Sequence, residues 1–129
     1  QALKLDILSH IYLAQERFEL AEAATQNGLA LLKGMGDIGS QALVLYQMSM
    51  ILEKKEQIDA ALEAAQTSLQ LARQVCDQLL IAYILTSIGV LQKKIGQEGE
   101  ARSSWEEALR VARSINHQST IENIERLLQ

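Results

Sequence analysis

The feature that most constrains the fold of this chain is a repeat at an interval of 40 residues. Segments that begin at residues 16, 56 and 96 align without gaps, and Ala21, Ala61 and Ala101 fall at the same position in each. The alignment also superimposes Leu29, Leu69 and Leu109, then Leu31, Leu71 and Val111, then Lys33, Arg73 and Arg113. A chain that repeats in this way is an array of one supersecondary unit, in which each copy packs against the next.

Helical spacing accounts for the apolar residues along the whole chain. There is no Pro, and no segment alternates between apolar and polar residues as a strand would. Gly34, Gly36 and Gly39 place the first boundary between units in segment 33–40. Seven helices are predicted, at about 2–15, 18–33, 39–55, 58–75, 78–95, 98–115 and 119–128. The predicted fold is all-α, a single domain of residues 1–129 with three antiparallel helix pairs, in repeats at about 2–37, 38–77 and 78–117, and a C-terminal helix.

Small residues recur where the two helices of a unit would approach each other. Ser49 and Gly89 occupy equivalent positions in the first helices of units two and three, and Ala61 and Ala101 do so in the second helices. Trp105 lies one turn beyond Ala101 on the same face. We therefore expect Trp105 to fill the space between the two helices of the third unit.

This pattern resembles the tetratricopeptide repeat, whose signature is W-x2-L-G-x2-Y in the first helix and A-x3-F in the second. The matching residues of the third unit are Leu85, Ile88, Gly89, Ala101, Trp105 and Ala108. The period of 40 exceeds the usual repeat of about 34, and no Pro closes the second helix. The resemblance is therefore to the longer-helix variety of the family, and it implies a right-handed superhelical solenoid.

Residues with catalytic or metal-binding chemistry form no recognisable set in this sequence. His10 and His117 are far apart and lack partners at the spacing of metal ligands, and His117 is interpreted as an exposed turn residue. Cys76 is expected to be a partly buried small residue. The glycines of segment 33–40 follow no strand and precede no Gly-Lys-Ser/Thr, so they do not indicate a phosphate loop. We expect no enzyme activity, no catalytic residue, no metal and no cofactor.

The charge and the cysteine content indicate which partners and which cellular compartment to expect. The net charge is -4, and the acidic and basic residues are interspersed, which argues against nucleic acid as a partner. No apolar run approaches the roughly 20 residues of a membrane span. A single cysteine suggests a reducing compartment, so the predicted location is cytoplasmic. The chain enters a helical pattern at Gln1 without a cap, which indicates a piece of a longer protein.

In the family that this sequence resembles, the first helices of successive units line a concave face. Equivalent positions of those helices give eight candidate groove residues: Asp6, His10, Tyr46, Met50, Tyr83, Thr86, Val90 and Lys93. The competing interpretation is that such residues only complete the packing between helices. For Tyr46, Met50 and Tyr83 the groove is favoured, because aromatic and Met side chains are enriched where partners bind.

The predicted function is a protein-interaction scaffold that holds a peptide or partner segment in this groove. The alternative is a regulatory or sensor segment of a larger signalling protein or transcription regulator. No membrane partner is expected. Because Leu127 and Leu128 are predicted to leave an apolar edge at the last helix, the chain is expected to be a monomer or a weak dimer.

Overall fold

The structure of the protein, a computed structural model, describes residues 18–129. This part of the chain contains six helices: α1 Phe18–Met35, α2 Ile38–Lys54, α3 Ile58–Gln74, α4 Gln78–Lys94, α5 Glu98–Ser114 and α6 Gln118–Leu128. It contains no strand, so the all-α prediction is confirmed here. The predicted helix at about 2–15 and the candidates Asp6 and His10 lie outside the described residues.

The joints between helices share one design. At each joint a residue with positive φ follows the helix, and at four of the five described joints the next backbone N–H bonds back to a carbonyl of the last turn, as in a Schellman motif. Gln57 N, for example, donates to Leu52 O at 2.9 Å after Glu56 adopts a φ of 62°. The other positive-φ residues are Gly36, Cys76, Gly96 and Asn116. Because these residues lie 20 positions apart, the chain reverses direction in the same way at every joint. Successive helices therefore run in alternating directions.

Two sequence expectations about these joints are corrected. The glycines suggested a break across segment 33–40, but α1 continues through Gly34 to Met35, and Gly39 already belongs to α2. Only Gly36 leaves the helix, because only this position needs a positive φ, of 71°. Cys76 is exposed rather than partly buried, because it occupies the joint between α3 and α4 outside both helices.

Packing follows the order of the helices along the chain. Each helix packs against the next, most extensively α2 against α3 and α4 against α5. Helices α2, α4 and α6 also lie side by side, since α4 contacts both α2 and α6. The largest fully buried apolar side chains are Ile51, Ile84, Leu91 and Ile124. Leu127 and Leu128 are half-buried against this core rather than exposed, so the apolar edge at α6 is smaller than the sequence suggested.

The contact between α4 and α5 depends on the Trp105 side chain. Trp105 is 5% exposed, and its Nε1 donates to Thr86 O at 3.1 Å. A Cβ atom built on Gly89 would lie 2.3 Å from that nitrogen, so only glycine lets α4 approach the indole this closely. The expectation that Trp105 fills the space between the two helices of its unit is confirmed.

Candidate functional site

One face of the array carries an open cavity of about 500 Å³, formed by α2, α4 and α6 side by side. We call this cavity the groove. It is lined by Tyr46, Met50 and Glu53 from α2, by Tyr83, Thr86, Ser87 and Val90 from α4, and by Ser119, Thr120 and Asn123 from α6. Because its walls come from the first helices of the second and third repeats and from the C-terminal helix, the groove depends on the stacking of these elements rather than on any one of them.

The structure brings together five of the candidates that the sequence indicated: Tyr46, Met50, Tyr83, Thr86 and Val90. Lys93 is not among them. It lies in a separate cleft with Arg102 and Trp105, between the end of α4 and the start of α5. Successive helical residues differ by about 100° in direction, and it is the neighbouring Lys94 that reaches α2.

Tyr46 and Tyr83 do not occupy equivalent positions, since Tyr46 aligns with Thr86 and Tyr83 with Leu43, and the two tyrosines differ in burial. Tyr46 is half-buried and also packs against the core, so it serves both of the roles that the sequence left open. Burial raises the pKa of Tyr46, and the nearby Tyr83 and Glu53 raise it further. Tyr83 is 37% exposed. The two phenols therefore give the groove one half-buried wall and one more accessible wall.

The charge inside the groove is compensated. Glu53 Oε2 of α2 lies 2.8 Å from Lys94 Nζ of α4, and the pair joins the C-terminal ends of the two helices. The other lining side chains are apolar or carry hydroxyl and amide groups. Such a surface can bury apolar side chains and form hydrogen bonds, and it offers no uncompensated charge of its own.

The sequence analysis missed the contribution of α6 to this site. His117, interpreted there as an exposed turn residue, is half-buried at the start of α6. Its ring meets the Tyr83 ring edge-on with centroids 6.3 Å apart, and its Nδ1 lies 2.6 Å from Thr120 Oγ1. The interval of 40 could have placed His117 at a helix start, because it follows the N-cap residues Asp37 and Asp77 in register, but it could not have indicated the contact with Tyr83.

The groove holds no constellation for metal chemistry. Within residues 18–129, no group of three or more His, Cys, Asp and Glu side chains could hold a metal ion. In the same range, no helix has a stretch long and apolar enough to cross a membrane.

Comparison with known proteins places this geometry among related folds. A family model described as Tetratricopeptide repeat matches residues 40–114, more than half of the chain. The apo form of RapI superimposes with a TM-score of 0.85 at 16% identity, over 97% of this chain and 48% of that one. The N-terminal domain of stress-induced protein-1 (STI-1) from C. elegans gives a TM-score of 0.74 at 15% identity, over 96% of this chain and 94% of that one. No curated protein matches the sequence.

This chain therefore spans about half the length of the RapI chain. At these identities the likeness concerns the fold alone. It confirms the predicted architecture, a solenoid of packed helix pairs with a C-terminal helix.

Proposed function

The chain belongs to the tetratricopeptide repeat family, and from that premise we propose that it is a protein-interaction scaffold whose groove binds a segment of a partner protein. The observation that carries this proposal is the composition of the groove. Three helices of successive units contribute apolar, hydroxyl and amide side chains to one continuous cavity. Pockets of this kind, mostly apolar with a few polar groups that fix orientation, are typical of binding sites.

The lining favours a segment with apolar side chains and an accessible backbone. Met50 and Val90 offer apolar contact, and the flexible Met side chain can adapt to the shape of a partner. Ser119 and Asn123 are exposed on α6 and can bond to backbone N–H and C=O groups. Because Glu53 already pairs with Lys94, the occupant needs no acidic residue at that end.

Side chains that line the groove without supporting the core are the right ones to alter. Met50 and Asn123 meet this condition, whereas Tyr46 packs against the core and its truncation would also lower the stability of the fold. The test variant is therefore Met50→Ala with Asn123→Ala. Its matched control is Gln70→Ala with Arg110→Ala, two exposed residues of the second helices.

The experiment is to recover partners of the full-length protein from extracts of its source cells and to measure each purified partner by calorimetry. The proposal expects the groove variant to lose about tenfold or more in affinity, since anchors at an interface cost on the order of 1–2 kcal/mol each. The control should bind like the wild type. Equal affinity of the groove variant and the wild type for every partner would show that binding occurs elsewhere.

We also infer that the chain is a monomer, because the leucines of α6 are half-buried against the core. Light scattering across a concentration series would contradict this if it gave the mass of a stable dimer. The cytoplasmic location stays a prediction.

A further inference from the structure

A second cleft, of about 440 Å³, opens beside the groove at the N-terminal ends of α2 and α4. We call it the notch. Leu43, Leu79 and Tyr83 line it, and Asp37 and Asp77 stand at its rim. Leu43 and Tyr83 are each 37% exposed, so the apolar lining is accessible. Tyr83 also lines the groove, which makes the two cavities neighbours on one surface.

The two rim carboxylates cap the helices that begin behind them. Asp37 Oδ1 accepts from Ser40 N at 3.0 Å, and Asp77 Oδ1 accepts from Leu80 N at 3.1 Å. Each carboxylate carries one negative charge, whereas the N-terminus of the helix that it caps carries a positive charge of only about one half. The backbone and side chain of Ser40 lower the pKa of Asp37, so this carboxylate is ionised at neutral pH.

The notch therefore differs from the groove in its electrostatics. In the groove, Glu53 is paired with Lys94 at 2.8 Å. Among the ion pairs within residues 18–129, none involves Asp37 or Asp77. The notch thus carries two carboxylates without an ion-pair partner among the described residues, and they border an accessible aromatic ring and two leucines. Its complement is a side chain that is cationic at the tip and apolar along the stem.

We propose that the notch binds an arginine side chain of the partner segment, with its stem on Leu43 and Leu79 and its guanidinium between the Tyr83 ring and the aspartate rim. This inference rests on the proposed function, because the segment that enters the notch is the one that lies in the groove. Arginine fits better than lysine, since a planar guanidinium can donate two parallel N–H bonds to a carboxylate and can also stack on an aromatic ring.

The two aspartates can be neutralised without loss of the helix caps. Asn is as good an N-cap residue as Asp, so Asp37→Asn with Asp77→Asn removes the charge and keeps the capping bonds. The matched control is Asp59→Asn with Glu63→Gln, which removes two charges from exposed positions of α3. Equal thermal stability of the two variants would confirm that the caps are retained.

The probe is blocked arginine, Nα-acetyl-arginine methylamide, compared with the citrulline analogue, which has the same shape and no charge. Backbone N–H resonances of the whole chain are followed by NMR as each probe is added. We expect Ser40, Leu80 and Tyr83 to shift with the arginine probe at about threefold to tenfold lower concentration than with citrulline, the range expected for one exposed cation–π contact and one ion pair. The preference should vanish in the Asp37→Asn, Asp77→Asn variant and persist in the control.

Equal responses to the two probes, or an arginine preference that survives in the notch variant, would overturn the proposal. The probe does not need the groove, so the outcomes separate. If the arginine preference is absent while Met50→Ala with Asn123→Ala still abolishes partner binding, only the notch is wrong. If the preference is present while no partner depends on the groove, the notch stands as a site and the proposed function is wrong.

Discussion

The second repeat, formed by α2 and α3, and the third repeat, formed by α4 and α5, have helices of the same length and the same joints, yet they close the space between their helices differently. In the third repeat Gly89 makes room for Trp105, which bonds to a carbonyl of the facing helix. At the equivalent positions the second repeat has Ser49 and Ala65, both fully buried. The residues that recur every 40 positions thus determine the helix lengths and the joints. The side chains that fill the space between the two helices differ from one repeat to the next.

The second repeat relies on small side chains and a hydroxyl bond instead. Ser68 Oγ donates to Ala42 O at 2.5 Å and so joins α3 to α2. Ser49 Oγ is fully buried, and no hydrogen-bond partner lies within its reach among the described residues. We infer that the third repeat is the more stable of the two, because a large buried indole contributes more than a hydroxyl bond and carries no unpaired polar atom.

The largest expected effect is that of Trp105→Ala, which should lower the free energy of unfolding by about 3–5 kcal/mol. The change removes the largest side chain that packs between α4 and α5 and opens a cavity in their contact. Chemical denaturation of the purified chain measures the loss. Tyr83→Ala is the control, since this aromatic ring is 37% exposed and its truncation should cost far less. A loss below about 1 kcal/mol for Trp105→Ala, no larger than that for Tyr83→Ala, would mean that the third repeat does not depend on Trp105.

Gly89→Ala should cost about 1–3 kcal/mol through overpacking. The added Cβ would lie 2.3 Å from Trp105 Nε1, and the indole is buried and cannot swing into solvent. The same change in a Trp105→Ala background should be harmless, or stabilising by up to about 1 kcal/mol, because Ala favours helix more than Gly does. A double-mutant cycle in denaturant measures this coupling. An equal loss in both backgrounds would show that another contact requires the glycine.

The sequence predicts most of this fold because its signals are local. Each joint depends on one positive-φ residue and a cap, and the apolar spacing marks the helices between them. The predicted helix bounds within residues 18–129 differ from the observed ones by no more than two residues. The break around Gly34 and Gly39 was wrong because glycine is tolerated within helices and only Gly36 needs its conformational freedom.

The candidate site was less predictable because it depends on relations between helices. The equivalent positions identified Tyr46, Met50 and Val90 on one surface. They could not show that Lys94, rather than Lys93, turns toward α2, since a small change in helix rotation decides between adjacent residues. The role of His117 depends on a contact with Tyr83 from another helix, and no pattern within α6 indicates it.

In the second repeat, Ser68→Ala should lower the free energy of unfolding by about 0.5–1.5 kcal/mol, the usual net value of a hydrogen bond. The hydroxyl is buried, and its bond to Ala42 O joins two helices. The neighbouring Thr67→Ala is the control, because its hydroxyl bonds to Glu63 O within the same helix at the surface. Thermal unfolding of the two variants side by side would contradict the prediction if Thr67→Ala proved the more damaging.

Ser49→Ala should be neutral or should stabilise the chain by up to about 1 kcal/mol, because it removes a buried hydroxyl that has no partner among the described residues and improves helix propensity. Ser104→Ala gives the contrast. Ser104 Oγ donates to Gln92 Oε1 at 2.7 Å, so the loss of this bond should lower the free energy of unfolding. Urea titrations of both variants measure the difference in sign. A loss of more than about 1 kcal/mol for Ser49→Ala would show that its hydroxyl is bonded in solution.

The smallest effect appears only at alkaline pH and concerns the more deeply buried tyrosine of the groove. Burial, with help from Tyr83 and Glu53, raises the pKa of Tyr46 in the folded chain above the value of about 10 for an unfolded one. The unfolded chain therefore releases this proton first as the pH rises. Stability from neutral Tyr46 is fully present below pH ~10 and is lost as the pH rises through the folded pKa.

Tyr46→Phe cannot titrate, so its free energy of unfolding should fall less than that of the wild type between about pH 8 and about pH 11. All other ionisable groups are the same in the two proteins, so their contributions cancel from the difference. Urea unfolding at a series of pH values measures it, and the wild-type curve should separate from the Tyr46→Phe curve only above pH ~10. A difference between the two proteins that stays constant over this range would mean that the Tyr46 hydroxyl is solvated in the groove rather than held against the core.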